Sequence, residues 1–284
     1  MKKTGLILEG GGTRGVFTSG VLDYLMEKQI YFPYVAGVSC GSCNAVDYVS
    51  GQIGRTKECM ILSKPGDSYM GLQYFLKSRN YIDMDRIFDK FPNEEIPFDY
   101  DAYFASDIRC EMVATNCLTG EAEYLEEKSD RQRLMQICRA SSSLPLISQI
   151  TEVDGIPYLD GGVGDSIPIR RSLKLGYKKN VIILTRNAGY RKGNNRHTDR
   201  LCQIKYREYP NLVKAILRRP HVYNKTLELI ERLESEGHVF VLRPQIPPVS
   251  RTENNRESLT AFYNHGYEYM KNEYGRLMEY MERA

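Results

Sequence analysis

Thr4 to Leu8 is a short apolar run that stops at Glu9 and a cluster of glycines, and from Gly15 to Lys28 Val16, Val21, Leu22 and Leu25 recur at helical spacing. This predicts a strand, a glycine loop and a helix. Pro33 introduces a second strand-like run, Tyr34 to Val38, and Gly41 to Val49 returns to a helical mix of small and apolar residues. The chain therefore opens β-α-β-α.

Between Arg55 and Tyr103 helical signals are weaker and broken by Pro65, Pro92 and Pro97, so short helices and loops are expected there rather than sheet. Arg109 to Asn116 and Glu123 to Leu125 flank Thr119-Gly120 as a hairpin, and Arg131 to Arg139 is helical. A strand is predicted at Ile156 to Asp160, a short helix at Arg171 to Leu175 and a buried strand at Asn180 to Thr185. Arg186 to Arg200 carries no apolar period and reads as an exposed loop. Helices at Leu201 to Arg219 and Asn224 to Ser235, a strand at Val239 to Leu242 and a long helix from about Arg256 complete the pattern. It contains no internal repeat.

Composition narrows the class. With 284 residues, 42% hydrophobic, the chain can bury a large core, and a single α/β domain over 1–284 is expected, helical from about 201 onward. A net charge of +3 without a concentrated basic face argues against nucleic acid as a partner. The apolar run behind Met1-Lys2-Lys3 is too short for a signal peptide, and no stretch approaches the ~20 apolar residues that cross a bilayer. The expectation is a cytoplasmic protein whose membrane contact, if any, is peripheral. Its 7 cysteines lack framework spacing and are expected to be reduced.

The first candidate for chemistry is Gly10-Gly11-Gly12-Thr13-Arg14-Gly15 between strand and helix, where backbone N–H groups and a helix N-terminus can converge on an anion. A dinucleotide site would place an acidic residue at the end of the next strand, which instead ends Gly37-Val38-Ser39. A phosphate-binding loop would continue Gly-Lys-Ser/Thr, but Val16 follows Gly15.

The second candidate, Gly37-Val38-Ser39-Cys40-Gly41, fits the G-x-S-x-G elbow that exposes a serine at a strand-to-helix turn. A right-handed β-α-β unit brings the loops after both strands to one sheet edge, so the glycine loop and Ser39 face each other. Oxyanion donors beside a nucleophile are what acyl transfer needs. Only one strand precedes the one carrying Ser39, which disfavours an ordinary α/β-hydrolase. The third candidate, Asp160-Gly161-Gly162 at a strand end, offers a base.

In that order the three motifs resemble the signatures of the patatin-like phospholipases, and Arg139-Ala140-Ser141 with Pro145 resembles the stretch that precedes the family's aspartate. The likeness runs from about Gly5 to Pro168. It implies a three-layer α/β/α sandwich with a mostly parallel central sheet. It also implies a Ser39/Asp160 dyad with no metal or cofactor, cleaving acyl esters of lipids in the manner of a phospholipase A or lysophospholipase. Gly10, Gly11, Gly12, Arg14 and Gly15 match the oxyanion-hole motif, Gly37 and Gly41 the elbow, and Gly161 and Gly162 the dyad loop. Where the family often has Asn after the Asp-Gly-Gly triplet, this chain reads Val163-Gly164-Asp165-Ser166.

Rival readings remain open on the sequence. Cys40-Gly41-Ser42-Cys43 has the spacing of a thioredoxin-like redox pair, although that reading explains neither the glycine loop nor Asp160-Gly161-Gly162. An acyltransferase can use the same serine, and a non-catalytic lipid binder can keep the fold. His197, His221, His238 and His265 follow Asp160 in an order a triad permits, but none lies in a glycine-flanked turn, and no ligand spacing points to zinc. The basic run of Arg191, Lys192, Arg196, Arg200, Lys205, Arg207, Lys214, Arg218 and Arg219 is read first as a solvated face and second as a surface for anionic lipid. Leu212, Val213, Ile216 and Leu217 are read as core, Tyr263, Tyr267 and Tyr274 as packing in preference to a lid, and Glu9, Asp47 and Asp165 as supporting residues.

Overall fold

The structure is a computed structural model that describes residues 3–63, 67–71, 73, 74, 76 and 81–282. Met1, Lys2, Pro65 and part of the proline-broken excursion lie outside those residues. The sheet carries its strands in the order β5-β6-β3-β2-β1-β7-β8, with β4 against β3. These strands are β1 (Thr4–Leu8), β2 (Tyr34–Val38), β3 (Arg109–Asn116), β4 (Ala122–Leu125), β5 (Thr151–Val153), β6 (Ile156–Asp160), β7 (Lys179–Ile183) and β8 (Val239–Leu242). The run β3-β2-β1-β7-β8 is parallel, while β4 and β6 run antiparallel to β3 and β5 antiparallel to β6.

Alternation along each strand sorts side chains between two helical layers. Leu6, Leu8, Val35, Met112, Val181 and Ile183 face one layer. It contains α1 (Gly15–Glu27), α2 (Cys40–Ser50), α6 (Arg131–Ser141) and α10 (Arg256–Glu282). Ile7, Tyr34, Ala36 and Ile182 face α7 (Ile169–Lys174) and α9 (Pro210–Ser235) on the other side. This is the three-layer α/β/α arrangement with a mostly parallel sheet. The proline-broken excursion forms α3 (Arg55–Met60), a π-type helix α4 (Arg86–Glu95) and α5 (Tyr100–Ala105), and α8 (Arg196–Lys205) precedes α9.

Several boundaries differ from the periodicity reading. The stretch expected to be loop as far as Arg200 turns helical at Arg196, because the Asn195 side chain accepts a hydrogen bond from the Thr198 N–H and caps α8. The helix expected over Leu201–Arg219 breaks before Pro210, which opens α9 at a position where no donor is missed. That helix then continues through Pro220, where a second break is absent. A proline in a helix interior costs ~3 kcal/mol. Burying Tyr223, Leu227 and Ile230 at roughly 1.5–3 kcal/mol each exceeds it. Leu212 and Ile216 are core as expected, whereas Leu217 is exposed.

The last helix packs along the first. Gly20 lies against the Tyr263 carbonyl and Gly266 against the Phe17 carbonyl, so close that a Cβ at either would sit 2.2 Å from that oxygen. The tyrosines of α10 complete this seam: Tyr263 donates to Asp23 at 2.7 Å, Tyr267 donates to Glu27 at 2.6 Å, and the Tyr267 and Tyr274 rings meet Tyr24 edge-on. The expected packing role is the observed one.

Candidate active site

Strands β1, β2, β7 and β8 all end at one edge of the sheet, with Leu8 opposite Gly37 and Ile183, and Ile183 opposite Leu242. Loops leaving a parallel sheet at such an edge are where α/β proteins build sites. The glycine loop, Ser39 and Asp160 all lie there, around a cleft of about 350 Å³.

Ser39 holds φ +58° and ψ −126°, a backbone conformation a side-chain-bearing residue adopts only under strain, typically ~1–3 kcal/mol. The turn closes because Gly37 and Gly41 meet backbone to backbone; a Cβ on Gly37 would lie 2.2 Å from the Gly41 carbonyl oxygen. Ser39 stands at the N-terminus of α2, where the first amides have no intrahelical acceptor and the helix dipole is positive. Its own N–H donates to Ser141 Oγ at 2.9 Å, and the Ser141 hydroxyl donates in turn to the Val113 carbonyl of β3. Ser141 was legible only as part of the stretch ahead of Asp160. Its task, fastening the elbow to the sheet, depends on a contact 102 residues away in sequence.

Asp160 arrives by an unusual register. β3 pairs with β2 up to Val113↔Val38 and with β6 from Ala114↔Asp160. β4 occupies β3 over Met112 to Thr115, so β2 and β6 share the other edge and meet end to end. The last residue of β6 therefore sits beside the residue that follows β2. Asp160 is buried; its Oδ1 accepts from the Gly162 N–H at 2.8 Å and its Oδ2 is buried without a hydrogen-bond partner. Burial raises its pKa. The nearby Arg219, the Ser39 hydroxyl, the Gly162 amide and Arg251 pull it back only in part.

The loop after Asp160 is held without an asparagine. The Thr115 hydroxyl donates to the Asp160 carbonyl at 2.8 Å and accepts from the Gly164 N–H at 3.0 Å, while Ser166 Oγ donates to the Gly162 carbonyl at 2.7 Å. Asp165 turns away and accepts from Tyr124 at 2.8 Å.

In the glycine loop successive peptides have separate fates. The Gly11 N–H donates to Cys40 Sγ at 3.1 Å, so this amide is already occupied. Arg14 is buried, and its Nε donates to the Gly11 carbonyl at 3.1 Å. In a trans peptide the N–H points opposite to the carbonyl within the peptide plane, so the Gly12 N–H points away from the Arg14 guanidinium. Gly12 opens a 3-10 turn, lines the cleft, and holds φ +59° against the Arg251 carbonyl. Gly15 packs on Cys40, where a Cβ would lie 2.6 Å from the sulfur. Glu9 braces the loop from behind, accepting from the Thr185 N–H and from Tyr223 OH, both at 2.6 Å.

Ser39 also borders a second, apolar cavity of about 120 Å³ lined by Cys43, Val46, Met60, Ile82, Phe88 and Leu144, among others. Asp47 at its wall is tied to Arg55 at 2.8 Å and to Thr56. Cys40 and Cys43 both have pKa values pushed up to about 12, by burial first and then by neighbouring negative groups. No histidine lines the cleft. His265 accepts from the Gln245 N–H and lies against Phe17, and His197, His221 and His238 are exposed. Among the described residues no group of three or more His, Cys, Asp or Glu side chains could hold a metal. No helix among them is long and apolar enough to cross a membrane.

Of the basic run, Arg196, Arg200, Lys205, Arg207, Lys214 and Arg218 are exposed. Lys192 and Arg219 instead turn into the cleft, beside Arg186 and Arg251. Periodicity could not separate them from their exposed neighbours.

Fold and site together define an α/β/α protein with a polar cleft at its strand ends, built around an elbow serine, a buried carboxyl and a glycine loop. The chain belongs to the patatin-like phospholipase family, whose model matches residues 6–172. A second model, a domain of unknown function (DUF6363), matches residues 209–282. Among curated proteins, the uncharacterized protein YjjU of Escherichia coli K12 is 29% identical over 187 residues, 63% of this chain and 51% of that protein. The uncharacterized NTE family protein Rv1063c of Mycobacterium tuberculosis is 27% identical over 177 residues, 59% and 44% respectively. The chain thus spans about half the length of the curated relatives it matches. Among solved structures, VipD from Legionella pneumophila shares the fold with a TM-score of 0.52 at 15% identity, over 96% of this chain and 66% of that one.

Proposed function

We propose that the protein is a serine acyl hydrolase of lipid esters. Ser39 is the nucleophile and Asp160 its base. The observation that carries this reading is the end-to-end meeting of β2 and β6, which brings a buried carboxyl beside a strained elbow serine that borders both an apolar cavity and a polar cleft.

In this reading the acyl chain lies in the apolar cavity and the ester carbonyl over Ser39. Asp160 takes the hydroxyl proton as Ser39 Oγ bonds to the carbonyl carbon, and the carbonyl π electrons move onto oxygen. The Gly12 N–H and the first amides of α2 receive that oxyanion, while the Gly11 amide keeps the loop in shape through Cys40. Collapse expels the alcohol, which takes the proton back from Asp160. Water attacks the acyl-serine by the same route in reverse, releasing the fatty acid and restoring Ser39. The ordinary aspartate pKa of ~3.9 makes a weak base at neutral pH, and the burial that raises the Asp160 pKa strengthens it.

The redox reading of Cys40 and Cys43 finds no support, because an attacking thiol needs a lowered pKa and both of these are raised. The test is fluorophosphonate labelling with peptide mapping, followed by assay on lipid and short-chain esters. The expected label is on Ser39, absent from Ser39→Ala, with fatty acid released. Labelling elsewhere, or ester hydrolysis that survives Ser39→Ala, overturns the reading.

A further inference from the structure

The polar cleft that meets the apolar cavity at Ser39 is strongly cationic. Arg14, Arg186, Lys192, Arg219 and Arg251 line it against two carboxylates, Glu9 and Asp160. Glu9 is already engaged by Thr185 and Tyr223, and Asp160 faces Ser39. Several arginines elsewhere are neutralised by carboxylates, as in Arg55–Asp47, Arg133–Asp154 and Arg171–Glu111. None of the five cleft cations forms such a pair among the described residues.

Their placement is built rather than incidental. The Arg186 guanidinium lies over the Tyr190 ring at 4.4 Å and the Lys192 ammonium over the Tyr223 ring at 4.5 Å, contacts that position a cation without cancelling its charge. Arg219 reaches the dyad loop, where a Cβ on Gly162 would lie 2.9 Å from its Nη2, and its Nε is buried with no hydrogen-bond partner. The crowding acts on Lys192 itself. Lys192 is pushed down to about 7 by burial first, then by Arg219, Arg251 and Arg14, with Glu9 opposing. Such a cluster favours a bound anion.

Gly12, Ser39, Leu144 and Arg251 border both cavities, so a molecule over Ser39 touches the apolar wall with one part and the cations with another. Four of the five cations lie beyond residue 172, where the patatin match ends, and Arg219 and Arg251 fall in the segment matched by a model without an assigned function. We propose that the chain after residue 172 reads the headgroup, holding the phosphate of an anionic acyl glycerol ester so that its carbonyl meets Ser39. This rests on the acyl hydrolase reading and adds the substrate class to it. A quaternary ammonium on that phosphate would face repulsion, and a neutral glycerol ester would leave the cations unpaired.

The full chain is assayed on three esters of one acyl chain: 1-acylglycerol 3-phosphate, 1-acylglycero-3-phosphocholine and 1-monoacylglycerol. The expected kcat/KM for the phosphomonoester exceeds both others by about tenfold or more. Lys192→Gln and Arg186→Gln, checked for unchanged melting, are each expected to lower the phosphomonoester-to-monoacylglycerol ratio roughly five- to tenfold. Glycerol 3-phosphate is expected to compete and to raise the Tm of Ser39→Ala, less so when Lys192→Gln is added. Comparable rates on all three esters, or a ratio unmoved in folded variants, overturn the headgroup inference and leave the hydrolase reading standing. Inorganic phosphate binding at Lys192 without any preference among the esters also overturns it, marking a site for free anion instead. Loss of the parent reading has a different signature: no ester is cleaved and no fluorophosphonate reaches Ser39.

Discussion

Ser141 Oγ accepts the Ser39 backbone N–H at 2.9 Å, and through the Ser141 hydroxyl the elbow is fastened to the Val113 carbonyl on the neighbouring strand. Ser42 Oγ, 2.8 Å from Ser141 Oγ, also donates to the Gly37 carbonyl, so both sides of the strained turn are tied. A positive φ at a non-glycine residue persists only when its surroundings over-determine it, and this pair of serines is part of that restraint.

Ser141→Ala removes the acceptor of a buried N–H, at a cost of about 1–3 kcal/mol. The expected result is a lower urea midpoint with unchanged m-value, and a fall in kcat larger than any rise in KM, because the nucleophile loses its aim rather than the substrate its pocket. Unfolding curves and steady-state ester hydrolysis check both.

Asp160→Asn removes the proposed base and is expected to cut turnover by on the order of 10³- to 10⁴-fold. Stability moves the other way. Because the folded pKa is raised, the unfolded chain ionises first, and the native state loses stability as pH climbs from the ordinary carboxylate range through the raised value. The variant should therefore melt no lower than the parent at pH 4 and gain on it towards neutral pH. A Tm series across that range is the measurement.

In the proposed mechanism the same ionisation governs activity, since only the carboxylate accepts the serine proton. For a neutral ester, kcat/KM should rise with pH through the raised Asp160 pKa, with its midpoint above that of an ordinary aspartate. A rate independent of pH across the acid range would remove Asp160 as base.

Gly12→Ala places a Cβ 2.3 Å from the Arg251 carbonyl at φ +59°. The loop must shift, carrying the Gly12 N–H away from the position proposed for the oxyanion. Loss of one such donor typically costs about 10²- to 10³-fold in kcat. The drop should appear in kcat with Ser39 still present and the protein folded by circular dichroism.

Asp23 gives a test away from the site. Its pKa is raised to about 6 by burial, against hydrogen bonds from the Gly54 amide and Tyr263 and with Asp47 adding to the rise. The native state therefore loses about 3 kcal/mol as pH rises from ~4 through 6, the unfolded chain ionising first. Asp23→Asn should flatten that segment of the stability curve, as read by Tm against pH.

The sequence alone determined the local pieces. Apolar spacing located β1, α1, β2, β7, β8 and α10, because burial of one face leaves a period that survives without knowledge of the partner. Gly37-Val38-Ser39-Cys40-Gly41 and Gly10-Gly11-Gly12 were legible because tight turns demand glycine wherever they occur. Tertiary structure decided what those pieces face. That β6 runs antiparallel and abuts β2 on one edge of β3, that Ser141 anchors Ser39, that Cys40 occupies the Gly11 amide, and that Lys192 and Arg219 leave a basic run to enter the cleft all depend on residues dozens to hundreds of positions apart. Such contacts leave no periodic trace, since pairing register and the direction of a long side chain are set by the neighbour across the gap.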